Sequence, residues 1–174
     1  MSQLHWYIDY YHIYTDGSKS GDRIGAAVVH RNKTKSVRVL NTASIFRAEL
    51  YALLLAIDVR RSKEKHFVIF CDSVSSLLAI SGFKVELDLV QRFIKDCSTL
   101  SKSGKTIVLC WIPSHVGISG NEKADTAAKS ALSLHVTPMK IQLQTLFLVL
   151  LCWSLKSGSD FGTAAQETNY KLSG

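Results

Sequence analysis

Four carboxylates, Asp16, Glu49, Asp72 and Asp125, stand at the ends of separate predicted elements or on a stripe that should be apolar. Carboxylate oxygens are hard ligands. A convergent set repels itself unless a divalent cation such as magnesium, with manganese as the alternative, neutralises it. Two such ions roughly 3.5–4 Å apart can clamp the attacking and leaving oxygens of a phosphodiester. The chain of 174 residues carries a net charge of +7, from 21 Lys and Arg against 14 Asp and Glu, and so favours a polyanionic partner. No soft-metal set competes. Cys71, Cys97, Cys110 and Cys152 form no C-x-x-C pair, and no histidine cluster stands near them at zinc spacing. They read as reduced, structural thiols, which suits an intracellular protein.

Each acid also has an ordinary reading. Asp16 precedes Gly17, a common turn pair. Glu49 follows Phe46 by three residues and precedes Leu53 by four, so it shares their helix face, where a charge is costly unless paired or metal-bound. It could instead sit at the stripe's edge and reach solvent. Asp72 closes an apolar strand and could be an N-cap, because Ser73 and a helical pattern follow. The carboxyl end of such a strand is also where α/β sheets bind ligands. Asp125 precedes Lys129 by four residues and could form an exposed ion pair. His115 lies in a loop, where a histidine is ordinarily just solvated.

The elements that must position these groups follow from periodicity. Tyr7 to Thr15, Ile24 to His30 and Lys35 to Leu40 read as an antiparallel meander of three strands. Phe46, Leu50, Leu53, Leu54 and Ile57 mark a helix that starts at an N-cap Ser44 and runs to about Arg61. Phe67 to Cys71 is a strand buried on both faces. A short helix ends at Gly82, and Leu87 to Cys97 lies in another that stops near Gly104. Thr106 to Ile112 is a fifth strand. Ser119 is the expected N-cap of a last helix reaching about Leu134, with Glu122 completing the cap. The order β-β-β-α-β-α-α-β-α predicts an α/β domain with a mixed sheet and helices on its faces. Asp16 and Asp72 must then meet at one edge of that sheet if they share a site.

The strings Tyr14-Thr15-Asp16-Gly17-Ser18, Arg47-Ala48-Glu49-Leu50-Tyr51-Ala52, Cys71-Asp72-Ser73 and Ser114 to Asp125 resemble type 1 ribonuclease H. Their wording is most similar to the ribonuclease H domains of non-LTR retrotransposons. The resemblance covers residues 7–134 and implies a ribonuclease H-like fold. That fold is a five-stranded mixed sheet, an antiparallel meander plus two parallel strands, with helices on both faces. It implies hydrolysis of the RNA strand of an RNA–DNA hybrid with two magnesium ions, leaving 5′-phosphate and 3′-hydroxyl ends. Asp16 would bridge both ions. Glu49 and Asp72 would hold the ion on the leaving-group side, and Asp125 the ion that activates water. His115 would assist proton movement or product release. Gly17, Ser18, Arg47 and Ser73 would contact the substrate. Ile45, Phe46 and Val74 depart from the polar residues common at their positions in the family.

The expected state is a monomer, or a part of what was once a larger reverse-transcriptase polyprotein. No secretory signal or membrane-length apolar stretch is visible, so an intracellular site, nucleus or cytoplasm, is expected. Residues 135–174 read as a divergent tail, apolar from Ile141 to Leu155 and then of disorder-prone composition. Two other readings stay open: a non-catalytic nucleic-acid-binding relic of a mobile element, and a different nuclease of the same broad fold.

Overall fold

The structure, a computed structural model, describes residues 7–31, 33–58, 62–82, 87–137 and 169–172. Three strands come first: β1 (Tyr11–Ser20), β2 (Arg23–His30) and β3 (Lys33–Val39). Then follow α1 (Ile45–Ala56), β4 (His66–Cys71), α2 (Val74–Ser81), α3 (Asp88–Lys102), β5 (Thr106–Trp111) and α4 (Ser119–Ala131). The meander and the two parallel strands are the five expected from the sequence. A sixth strand, β6 (Asn169–Leu172), pairs antiparallel with β5. It falls in the stretch whose composition predicts disorder. Backbone pairing along an otherwise open strand edge needs no apolar side-chain pattern, so composition does not announce it. The apolar run Ile141 to Leu155 lies outside the described residues.

The sheet order is β3-β2-β1-β4-β5-β6. β1 is antiparallel to β2 and parallel to β4, so its two edges serve the two halves of the fold. In the parallel register Thr15 stands beside Cys71. Asp16 and Asp72 are each one residue further on, so the pairing places them next to one another just past the carboxyl end of the parallel β1–β4 ladder. This is where parallel sheets carry their sites.

The strands are held by burial on both faces. Every residue of β4 from Phe67 to Cys71 is buried, as its unbroken apolar run predicts. On one face Ile13, Phe67, Ile69, Ile107 and Leu109 pack with Leu50 and Leu53 of α1, Leu77 of α2 and Phe93 of α3. On the other, α4 lies across the meander through Ala124, Ala128 and Ala131, all fully buried. Small residues let it approach closely. A β-carbon at Gly25 would come within 2.3 Å of the Ala128 carbonyl, so only glycine fits under the helix there.

Helix starts follow the sequence with one correction. Ser44 caps α1 and its hydroxyl accepts the Arg47 N–H at 3.2 Å. The N-cap of α2 is Ser73, which leaves Asp72 free of capping. Ser119, expected to cap α4, is instead its first helical residue, and Ile118 occupies the N-cap position with no side-chain bond. The preceding loop turns through His115 and Gly117, at φ of 54° and 80°, and this brings the chain into helix one residue early. Glu122 accepts the Gly117 N–H at 3.4 Å, so the carboxylate of the expected cap reaches the loop itself.

Candidate active site

Strand and helix geometry bring the four acids to one cleft of about 290 Å³. Asp16, Gly17, Glu49, Asp72, Ser73, Ser114, His115 and Asp125 all line it. Asp16 is 6% exposed and Glu49 9%, while Asp72 is half-buried. One carboxylate oxygen from each of Asp16, Glu49 and Asp72 lies within 4.8 Å of the others.

Glu49 arrives from α1 on the opposite side of the sheet edge. Gly17 makes this possible: a β-carbon there would sit 2.9 Å from the Glu49 amide nitrogen and 3.0 Å from its carboxyl carbon. The structure therefore gives Gly17 a packing role that the turn reading of Asp-Gly misses. Asp72 is held through its backbone, because the Trp111 indole N–H donates to its carbonyl at 3.2 Å.

The electrostatics of this group are those of acids without a cation. Burial, then the charges of Asp72 and Asp125, push Asp16 up to about 7, against the pull of Lys129 and a Gly17 backbone hydrogen bond. Burial, then Asp16 and Asp72, push Glu49 up to about 9. The Glu49 Oε2 atom is buried and has no hydrogen-bond partner. A buried acceptor without a donor is costly, and a divalent ion seated among these oxygens removes that cost. The donor set is all oxygen, as hard cations require, so the residues fit the group that the sequence implied.

Asp125 shares the cleft but differs in its surroundings. Its carboxylate accepts from Lys129 Nζ at 2.7 Å, the i,i+4 pair weighed from the sequence. Its ligand oxygen clusters within 4.8 Å of His115 and Glu122, not with the buried three. His115 is exposed, and its left-handed backbone is unusual for a residue with a β-carbon.

The other predicted contacts divide. Ser73 lines the cleft, with its hydroxyl 3.2 Å from Ser75 Oγ and 2.9 Å from Ser76 Oγ. Ser18 lies on β1 beyond the cleft lining. Arg47 is also outside that lining: its guanidinium forks onto Asp88 at 2.9 and 3.1 Å and ties α1 to the start of α3. The Arg47 hydrogen bond, working against the effect of burial, holds the Asp88 carboxyl below its usual range. Ile45 and Phe46 form an apolar wall of the cleft, and Val74 stands exposed at the start of α2.

One polar residue at the site was missed from the sequence. Asn121 is 2% exposed and donates from Nδ2 to Asp72 Oδ2 at 3.2 Å. It shares the buried stripe of α4 with Ala124, Ala128 and Ala131. The reasoning that singled out Glu49, a polar group on an inward helical face, would have found it.

Among the described residues the cysteines Cys71, Cys97 and Cys110 are buried, and burial pushes all three thiols up. They take no part in the cleft. No helix among the described residues is long and apolar enough to cross a membrane.

Comparison with known proteins agrees with the geometry. The RNase H family model matches residues 9–133. The chain is similar to the Pol polyproteins of equine infectious anemia virus, isolates 1369 and CL22, at 30% identity over 122 residues. The match covers 67% of this chain and 10% of each polyprotein, so the chain spans about a tenth of the length of these relatives. The matched residues include the five expected strands, all four helices and every acid of the cleft, and the chain belongs to the RNase H family.

Proposed function

We propose that this chain hydrolyses the RNA strand of RNA–DNA hybrids using two divalent ions, magnesium or manganese, held by Asp16, Glu49, Asp72 and Asp125. The observation that carries this reading is the buried Asp16–Glu49–Asp72 cluster, with Glu49 Oε2 left without a partner. When bound, such ions supply a nucleophilic water at neutral pH and neutralise charge on the phosphodiester oxygens.

The protein's part is placement. Asp16 and Asp72 come from adjacent parallel strands and hold their oxygens on a rigid base. Glu49 closes the cluster from α1. Asp125 and His115 face it from the α4 side, where Lys129 holds one oxygen of the Asp125 carboxylate and the other would be available to a cation. His115, exposed at the cleft mouth, can accept or deliver a proton there. Gly17 and Ser73, which line the cleft, and Ser18, next on β1, are the proposed contacts to the sugar–phosphate backbone. Arg47 contacts a phosphate only by giving up Asp88. The basic net charge supports a polyanionic substrate and predicts salt-sensitive affinity. The chain works within, or descends from, a longer reverse-transcriptase polyprotein, and the string wording favours a non-LTR element.

The test is cleavage of a labelled RNA–DNA hybrid with magnesium, by wild type and Asp72→Asn. Wild type should release RNA fragments and the variant should not. Equal release by both defeats the reading. A second reading, binding without cleavage, is favoured by the apolar wall of Ile45 and Phe46 and by the Lys129 pair on Asp125. Tight, salt-sensitive hybrid binding with no turnover at any metal concentration would select it.

A further inference from the structure

Asn121 is the one buried polar side chain that bridges α4 to an acid of the cleft among the described residues. Its Nδ2 donates to Asp72 Oδ2, and its own Oδ1 is buried with no partner. The orientation is fixed by charge. Turning the amide over would set its oxygen against a carboxylate oxygen, acceptor against acceptor, so the nitrogen must face Asp72. The unpartnered Oδ1 is the consequence.

A residue that served packing alone would not keep an orphaned carbonyl at 2% exposure. An apolar side chain there would continue the stripe of Ala124, Ala128 and Ala131 and leave nothing unsatisfied. The stripe is broken at the one position that reaches Asp72. Asp72 needs a support on its side chain, because the Trp111 bond fixes only its backbone carbonyl and its carboxylate can rotate about that anchor.

We propose that Asn121 is a positioning residue that occupies Oδ2 of Asp72 and so presents Oδ1 to a cation in the cleft. Hydrogen bonds of this kind orient a ligand's free oxygen and raise metal affinity, and their loss typically weakens binding by about 10–100-fold. The role rests on the metal-dependent reading of the cleft. It also ties α4, which carries Asp125, to Asp72 just beyond the end of β4, so both sides of the site move together.

The experiment uses the full chain with Asn121→Leu and Asn121→Ala. Leucine keeps the branched shape and removes the unsatisfied carbonyl, so it should fold at least as well as wild type. Alanine tests the same loss with a smaller side chain. Manganese binding to metal-free protein is measured by calorimetry beside thermal melting. The hybrid KM at saturating magnesium is also measured. The expected result is manganese affinity about tenfold or more weaker in both variants. The leucine variant should melt no lower than wild type, and KM should stay within about twofold. Loss of metal affinity with undiminished stability is a pattern that a packing role does not produce. Unchanged manganese affinity in the folded leucine variant overturns the proposal while the ribonuclease reading stands. If wild type itself binds no manganese, as Asp72→Asn should not, the metal reading fails and the role of Asn121 falls with it.

Discussion

Two groups of ligand atoms stand on the two sides of one cleft, equally close-packed and differently housed. Asp16, Glu49 and Asp72 lie within 4.8 Å of one another, and so do His115, Glu122 and Asp125. The first group comes from the edge of two adjacent strands and a packed helix, is largely buried, and has its acids pushed towards the protonated form, with only the distant pull of Lys129 against it among the described residues. The second comes from a loop and the first turns of α4, and Asp125 already has Lys129 as a counter-charge at 2.7 Å. Density of acids is therefore not what distinguishes a metal cage. Burial without compensation makes a cation necessary, while a partly exposed acid with a lysine neighbour can do without one.

The strongest way to break this comparison is Glu49→Gln. Cleavage should fall at least about a thousandfold, since a cation held there is worth several kcal/mol to the transition state. In EDTA the same change should be stabilising at alkaline pH. The reason lies in the direction of the shifts. Unfolded carboxyls titrate near 4, whereas folded Asp16 titrates at about 7 and Glu49 at about 9. The folded protein thus binds more protons through this window, and its metal-free stability is full below pH about 4 and falls as pH rises towards about 9. Melting temperatures in EDTA should show this decline, and Glu49→Gln should end it near pH 7. A flat profile for wild type would remove the distinction between the two groups.

His115→Gly probes the exposed side. Turnover should drop roughly a hundredfold if the imidazole moves a proton. Glycine also relieves the left-handed backbone at φ 54°, a gain of about 1 kcal/mol that urea melts can read. Lower activity with higher stability would place strain and function at one residue. Gly17→Ala is a smaller change to the buried side. The added β-carbon presses on Glu49, and about 1–3 kcal/mol of stability and about tenfold in cleavage should be lost together. Equal cleavage by this variant would show that Glu49 does not need its present seat. Lys129→Ala should do least. Its exposed pair should leave melting unchanged, and the freed Asp125 should lower the magnesium needed for half-maximal cleavage by only about twofold. A large loss of activity would mean that Lys129 itself holds the substrate.

Much of the fold is readable from pattern. The period changes from two to 3.6 mark the strands and helices, and Ser44, Gly82 and Gly104 bound their helices as the chemistry of caps requires. The candidate site is readable as far as residue type goes, because a carboxylate on an apolar face or at a strand tip is a local anomaly. Partners are harder. Arg47 has the right chemistry for a phosphate, yet Asp88, forty-one positions away, takes its guanidinium. Ser119 has the right chemistry for a cap, yet the turns at His115 and Gly117 start the helix a residue early. Asn121 could have been singled out as a polar residue on a buried helix face, but its target, Asp72, is forty-nine positions away and only the fold brings them together.

The sequence by itself determined the kinds of ligand, the elements that carry them and the basic charge of the whole. These are local properties: periodicity, turn chemistry and side-chain type act over a few residues. Only the tertiary structure decided that Asp16 and Asp72 stand side by side, because that follows from the parallel register of β1 and β4. It also decided that Glu49 is buried with an oxygen left without a partner. Burial is set by what the rest of the chain packs around a group, so no stretch of sequence around Glu49 contains it, whereas the Lys129 counter-charge of Asp125 stands one helical turn away.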